Sequence, residues 1–204
     1  MGIAERKERE KQEMKQRIIA AAMGMFLEEG YERTSIRNIA EKIEYSPATI
    51  YLYYKDKDEL LYEVQHEAFN KLGANFGELA TIQEPFERLS QICRRYIQFS
   101  IDNPELYDLM FILKAPMNSI EEKDKWTNGV DAFEFLLQTV KECMDKGLLR
   151  FKDPMTAAFS IWSMGHGMIS LNIRCRIKVT ELTESDTITL IEQSIAAYIE
   201  LIKA

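Results

Sequence analysis

Ile18, Ala22, Met25 and Phe26 follow the i, i+4, i+7, i+8 spacing of one helical face. That pattern predicts a first helix running from the charged N-terminus to about Glu29, with Gly30 as its stop. Thr34 is read as the N-cap of a second helix about two turns long, whose inward face is Ile36, Ile39, Ala40 and Ile43. Ser46-Pro47 repeats the start signal and opens a third helix to about Tyr53. Asp56 with Glu59 opens a fourth in the manner of a capping box. Longer elements follow: Asp56 to about Leu79, Pro85 to Asp102, Pro104 to Leu113, Glu121 to Lys146 stopped by Gly147, Asp153 to Ile177, and Glu184 to Ala204. No stretch alternates over a strand's length, so the expected fold is all-α, with a boundary inside the helix that starts at Asp56. Residues 1–60 are then a small head and 61–204 a larger body.

Two short helices joined by a turn of three or four residues, with a longer helix before them, form a helix-turn-helix unit, and residues 34–57 fit it. The second helix of such a unit enters the major groove with its N-terminal residues at the base edges. Here it carries Ser46, Ala48, Thr49, Tyr51, Leu52 and Tyr53. Ala48 is small enough to let the backbone approach the bases, and Thr49 offers a hydroxyl to phosphate or a methyl to thymine. Tyr51 and Tyr53 point to different sides of the helix and are assigned phosphate or base contact, whereas Ile50 and Tyr54 share a stripe and are assigned to the core. Lys55 and Lys57 stand at a helix start, where a cation suits an adjoining phosphate better than it suits the helix dipole.

Charge complicates this picture. The chain of 204 residues has a net charge of −7 and a pI of about 5.1, which taken as a total speaks against a polyanionic partner. Its distribution removes the objection. Residues 33–57 hold Arg33, Arg37, Lys42, Lys55 and Lys57 against Glu41, Glu44 and Asp56, a slightly basic head on an acidic body. The segment up to Arg17 adds six basic residues to four acidic ones, and is either an arm along the DNA backbone or a solvated helix end.

Ala20-Ala21-Ala22 through Phe26, Gly30-Tyr31, Thr34-Ser35-Ile36, Ile39-Ala40, Thr49-Ile50-Tyr51 with Tyr53-Tyr54, and Lys57-Asp58-Glu59-Leu60 together resemble the N-terminal domain of the TetR family of transcriptional regulators, over roughly residues 14–62. The turn departs from the family's usual Ala-Gly-Val-Ser, having Ile43-Glu44-Tyr45-Ser46 instead. Losing the glycine costs about 1 kcal/mol if the position needs a positive φ. The resemblance implies a homodimer of all-α subunits with a double-stranded operator and a small-molecule effector as partners. Most members repress and release the operator when the effector binds. By position, Thr49, Tyr51, Leu52, Tyr53 and Lys57 inherit DNA contact, with Thr34 and Arg37 contributing from the preceding helix. Trp162 and His166-Gly167 also resemble the signature of one subgroup of the family's C-terminal domains.

In the body, residues 154–173 carry no formal charge. Their length would allow a membrane span, but six polar side chains, a proline and two glycines favour a buried helix of a soluble protein. One stripe of that helix is apolar (Met155, Phe159, Trp162, Ile169, Ile173) and another small (Thr156, Ser160, Ser163, Gly167, Ser170). The small stripe and Ile188, Ile191, Ile195, Tyr198, Ile199 and Ile202 of the last helix are read as a four-helix dimer interface, the other possibility being an intrachain core. Two heads about 34 Å apart are what a palindromic site requires. Tyr96, Phe99, Tyr107, Met110, Phe111, Trp126, Phe133, Trp162 and His166 are candidates for an apolar effector pocket, against plain core packing. His166 in particular is either an effector ligand or a core histidine. Ten methionines favour an adaptable site for a hydrophobic or amphipathic effector. Arg94-Arg95 is a charged helix face or, alternatively, a carboxylate binder.

Cys93, Cys143 and Cys175 lie far apart and form neither a disulfide framework nor a metal-ligand spacing, so a reducing cytoplasm and no cofactor or metal are expected. The first residues contain no apolar core of a signal peptide, and Arg6 spoils the myristoylation pattern that Gly2 begins. Two histidines in different surroundings and the lack of a glycine-rich phosphate loop argue against an enzyme. The remaining alternative is a helical protein-interaction module that does not read DNA.

Overall fold

The computed structural model describes residues 2–114 and 128–204. Helices α1 (Ile3–Glu29), α2 (Ile36–Lys42), α3 (Pro47–Tyr51), α4 (Lys57–Gly77), α5 (Pro85–Asp102), α6 (Pro104–Tyr107), α7 (Val130–Asp145), α8 (Pro154–Ile173) and α9 (Glu184–Ile202) carry the fold. Single 3-10 turns, Glu78–Thr81 and Arg176–Thr180, extend α4 and follow α8, and a π-helical segment, Asp108–Ile112, continues α6. Among the described residues there is no strand; one isolated antiparallel bridge joins Leu149 to Lys203. The fold is all-α. The start expected at Glu121 lies outside the described residues. No helix among those described is long and apolar enough to cross a membrane.

The described residues pack as two units, those within Met1–Phe69 and Glu105–Asn128, and those within Asn70–Pro104 and Gly129–Ala204. In the first, the predicted inward faces of α1 and α2 are buried: Ile18, Ala22, Met25 and Phe26 on one, Ile36, Ile39 and Ala40 on the other. Leu60, Leu61, Val64 and Ala68 of α4 complete that core. Buried Gln65 donates from Nε2 to the Leu109 carbonyl at 2.8 Å, meeting the π-helical segment where the regular backbone ladder shifts. His66 Nδ1 meets Asn128 Oδ1 at 3.0 Å, and Asn128 Nδ2 donates to the Tyr62 carbonyl at 3.0 Å.

The second unit is a bundle in which α5 packs against α7, α8 and α9, and α8 against α7 and α9. Leu89, Ile92, Ile97, Val140, Ile161, Ile169, Ile191 and Ile195 form its centre. Within it lies Arg88, which donates from Nε to Thr139 Oγ1 at 3.2 Å and from Nη1 to the Ile82 carbonyl at 2.9 Å, and pairs through Nη2 with Glu142. That guanidinium holds the Glu142 carboxyl below its ordinary pKa. A buried charge with three partners is tolerated, whereas removing one partner would leave it uncompensated. Cys93 and Cys143 are buried here, and burial pushes their thiols up to about 12 and about 11; Cys175 is exposed.

The faces of α8 are a correction to the sequence reading. Ala157, Ala158, Ile161, Gly165 and Ile169 are the buried positions, while Met155 and Phe159 of the expected apolar stripe are 51% and 59% exposed. The inward side mixes Ala157, Ala158 and Gly165, the last facing the Tyr96 ring of α5, with Ile161 and Ile169, so that of the expected apolar stripe Ile169 is buried while Met155 and Phe159 lie outside the packed side. The dimer assignment of Ile191, Ile195 and Ile199 is corrected in the same way, because each is buried within its own chain and is not available to a partner. Ile188 and Tyr198 are half-buried. Of the small stripe, Thr156 and Ser163 are exposed and Ser160, Gly167 and Ser170 half-buried; Ser160 Oγ lies 2.6 Å from Tyr198 Oη in the same chain.

Candidate nucleic-acid interface

The reading helix is short for a physical reason. Pro47 presets its first turn, Ser46 caps it in an extended conformation, and only five residues separate the cap from the turn at Leu52. An isolated helix of that length would not form, so α3 is held by what it buries. Ile50 is fully buried and Tyr54, just beyond the helix, is almost so, as their shared stripe predicted. Burial drives the Tyr54 phenol well above its ordinary pKa, and its hydroxyl has no hydrogen-bond partner among the described residues. These two anchors leave the opposite side of the helix outward. Ala48 is exposed, Tyr51 and Leu52 are 55% and 81% exposed, and Thr49 and Tyr53 are half-buried. Ser46 Oγ and Thr49 Oγ1 lie 3.2 Å apart, so the two hydroxyls present themselves together. On α2, Arg37 and Lys42 are exposed.

Two predicted contacts do not reach this surface. The N-cap of α2 is Ser35, whose Oγ accepts from the Asn38 amide at 3.1 Å, and not Thr34. Thr34 is buried, with its hydroxyl donating to the Gly30 carbonyl at 3.0 Å and lying 3.3 Å from that of Met25. Its buried hydroxyl is committed to the join of α1 to α2 and does not face a phosphate. Lys57 also turns inward: Nζ donates to the Tyr31 and Thr34 carbonyls at 3.0 and 3.1 Å and sits 4.1 Å from the centroid of the Tyr31 ring. Lys57, expected at a phosphate, is held by carbonyls and a ring instead. Tyr31 completes the arrangement by donating to Asp58 Oδ1 at 2.5 Å, and burial together with that carboxylate raises its phenol pKa far above the usual range. The fourth helix starts as predicted, the Glu59 amide donating to Asp56 Oδ1 at 2.8 Å, but Glu59 Oε2 accepts from the Lys55 amide rather than that of Asp56.

The turn between α2 and α3 shows what the missing glycine does. Glu44 has φ +63°, in the left-handed region. Its amide donates to the Glu41 carbonyl at 3.0 Å and the Tyr45 amide to the Ala40 carbonyl at 2.9 Å, which is the paired bonding of a Schellman cap. A side chain at this backbone conformation costs about 1 kcal/mol relative to glycine. Arg17 of α1 reaches across to the same turn, donating from Nη2 to the Ile43 carbonyl at 2.9 Å with its guanidinium 5.2 Å from the centroid of the Tyr45 ring. The sequence reading did not single out Arg17 or Tyr45. The signal was the non-glycine residue at 44, which implied that something outside the turn supports it.

The effector candidates fall in both units. On the second, Tyr96 and Phe99 are buried, while Phe133, Trp162 and His166 are half-buried and adjoin one another, with ring centroids 6.0 Å apart for Phe133–Trp162 and for Trp162–His166. Tyr96 Oη lies 3.3 Å from His166 Nδ1, and burial holds the imidazole below its ordinary pKa. On the first, Tyr107 and Met110 are buried and Phe111 is half-buried, its ring 5.1 Å from Tyr107 and 5.3 Å from Phe69. Trp126 lies outside the described residues. Arg94 and Arg95 are exposed, Arg95 pairing with Glu78 at 3.6 Å. Among the described residues no group of three His, Cys, Asp or Glu side chains could hold a metal ion.

A helix-turn-helix whose second helix is anchored by two buried side chains and turns small, hydroxylic and aromatic groups outward defines a class of protein, the helix-turn-helix regulators. Comparison with known proteins narrows the class. Residues 18–64 match the model of bacterial regulatory proteins of the TetR family, and residues 89–198 that of a tetracyclin repressor-like C-terminal domain. The chain belongs to the TetR family. The curated relatives it matches are HTH-type transcriptional regulators. An HTH-type transcriptional regulator of Haemophilus influenzae is 29% identical over 97 residues, 47% of this chain and 52% of the relative. One of Staphylococcus aureus USA300 is 32% identical over 95 residues, 46% and 51% respectively. The chain thus spans about half the length of the curated relatives it matches. Among solved structures, the fatty acid degradation regulator FadR of Bacillus halodurans has a TM-score of 0.67 at 16% identity, over 89% of this chain and 93% of that one. RolR in complex with resorcinol has a TM-score of 0.64 at 14% identity, over 96% and 90%. These two share the fold.

Proposed function

We propose that the protein is a ligand-responsive repressor that binds a palindromic operator as a homodimer and is released by a small hydrophobic or amphipathic effector. The observation that carries the DNA reading is the outward side of α3, with Ala48, Tyr51 and Leu52 exposed and Thr49 and Tyr53 beside them. Exposed aromatic and apolar groups on a helix flanked by Arg37 and Lys42 suit base edges, thymine methyls and phosphates. Residues 1–60 are the DNA-binding part and 61–204 the effector and dimer part. The uncharged outer face of α8, where Met155, Phe159, Thr156 and Ser163 are exposed, is the surface a second copy would cover. The aromatic group of Phe133, Trp162, His166 and Tyr96 is the candidate effector contact; a structural neighbour holding resorcinol, a small aromatic, is in keeping with it. A cytoplasmic location completes the reading.

Selection from a random duplex library by the full chain tests it. Enrichment of an inverted repeat, shifted at nanomolar protein in moderate salt, is expected. Retention of duplexes without any enriched sequence overturns the operator reading. For the effector, a lipophilic library in a thermal-melt screen is expected to yield at least one stabilising compound, and none doing so counts against a hydrophobic ligand.

A further inference from the structure

We propose that Arg17 is a positioning residue for DNA binding: it holds the turn before α3 in the left-handed form that Glu44 disfavours, and so fixes how α3 is presented. The inference rests on the DNA reading above. Three observations meet at this turn. Glu44 is one of only three non-glycine residues with positive φ among those described, and it alone lies between the two helices of the DNA-reading unit. The Schellman bonds engage the Ala40 and Glu41 carbonyls, and the Ile43 carbonyl accepts from the Arg17 guanidinium at 2.9 Å. The same guanidinium lies over the ring of Tyr45, the residue after the strained one.

Arg17 therefore grips the turn on both sides of Glu44, from a helix whose neighbouring residues Ile18 and Ile19 are buried and fixed. Because α3 has only five residues and starts at Pro47, three residues beyond Glu44, a change in this turn re-aims the whole reading surface. A glycine at 44 would take the left-handed form without help. The clamp is needed where the side chain makes the turn costly, and a charge-assisted donor with a planar face supplies it.

The test uses the full chain and an operator duplex selected by it, with the variants R17A, E44G and R17A/E44G. In R17A, amide hydrogen exchange at Tyr45, whose N–H donates to Ala40, is expected to quicken and operator affinity to fall roughly tenfold. The slope of affinity against salt is expected to stay at the wild-type value, and E44G in the R17A background to restore both exchange and affinity. R17Q carries the same predictions should R17A not fold. A loss of slope by about one per subunit would make Arg17 a phosphate contact and overturn the proposal. So would failure of E44G to rescue, or a folded R17A that exchanges and binds as wild type does. A wild-type chain that selects no operator overturns the DNA reading itself, an outcome distinct from an intact operator complex indifferent to Arg17.

Discussion

The five-residue α3 and the twenty-residue α8 both turn aromatic side chains to solvent, Tyr51 on one and Phe159 on the other, but their surroundings differ. On α3 the exposed ring stands beside a helix carrying Arg37 and Lys42, and two large anchors, Ile50 and Tyr54, fix it from behind. On α8 the exposed ring lies in a helix without a single charge, and the side behind it is built of Ala157, Ala158, Ile161, Gly165 and Ile169. Exposed apolar area therefore has two meanings in one chain. Beside a helix that carries cations, it suits a polyanion with apolar patches; among uncharged groups, it suits another protein surface.

The anchors of α3 are where this difference is tested most directly. Ile50→Ala is expected to destabilise the protein by about 3 kcal/mol in denaturant unfolding, since a fully buried branched side chain is lost and a cavity is left. A loss below about 1 kcal/mol would mean that α3 is not held as described. Phe159→Asp, a charge on the uncharged face, is expected to weaken self-association by about 3 kcal/mol and turn a dimer into a monomer in sedimentation, with the helical content of the chain retained and its thermal melt no longer dependent on protein concentration. Tyr51→Ala is expected to cost about 1–2 kcal/mol in operator binding while leaving unfolding within about 0.5 kcal/mol, the reverse of Ile50→Ala.

Two smaller effects sharpen the contrast further. Lys57→Ala is expected to lower stability by about 1 kcal/mol without altering the salt slope of DNA binding, whereas Arg37→Ala lowers that slope by about one with stability intact. An equal loss of slope in both would return Lys57 to the phosphates. In the body, burial keeps the His166 pKa below its ordinary 6.5, so the folded protein resists a proton that the unfolded chain accepts. Stability is then full above about pH 6.5 and declines as the pH falls below it. His166→Gln is expected to flatten that part of the pH–stability curve, and an unchanged slope would assign it to other groups.

The helices were legible in the sequence because their starts and stops are local chemistry. Pro85 and Glu184 open α5 and α9 as expected, Asp153 caps α8 where its element was expected to start although α8 ends at Ile173 and not Ile177, and Gly30 ends α1 with φ +88°. Ile50 and Tyr54 were legible from spacing alone. What sequence could not give was direction. An apolar stripe on α8 fits an inward or an outward face equally well, and only the approach of α5, α7 and α9 puts Ala157, Ala158, Ile161, Gly165 and Ile169 inside. Lys57 and Thr34 were misread because their partners, the carbonyls of Tyr31, Gly30 and Met25, are backbone groups whose position no side-chain pattern encodes. Arg17 was missed because its partner is 26 residues away, although the absent glycine marked where support was needed.

The unequal exposure of the three cysteines has a practical consequence. Cys93 and Cys143 are buried with thiols held in the protonated form, so a maleimide at neutral pH meets a reactive sulfur only at Cys175. The wild-type chain thus has a single labelling position, next to the 3-10 turn that follows α8. A fluorophore or spin label there would report the separation of two copies directly, and how that separation alters when a candidate effector is added, without any engineered cysteine.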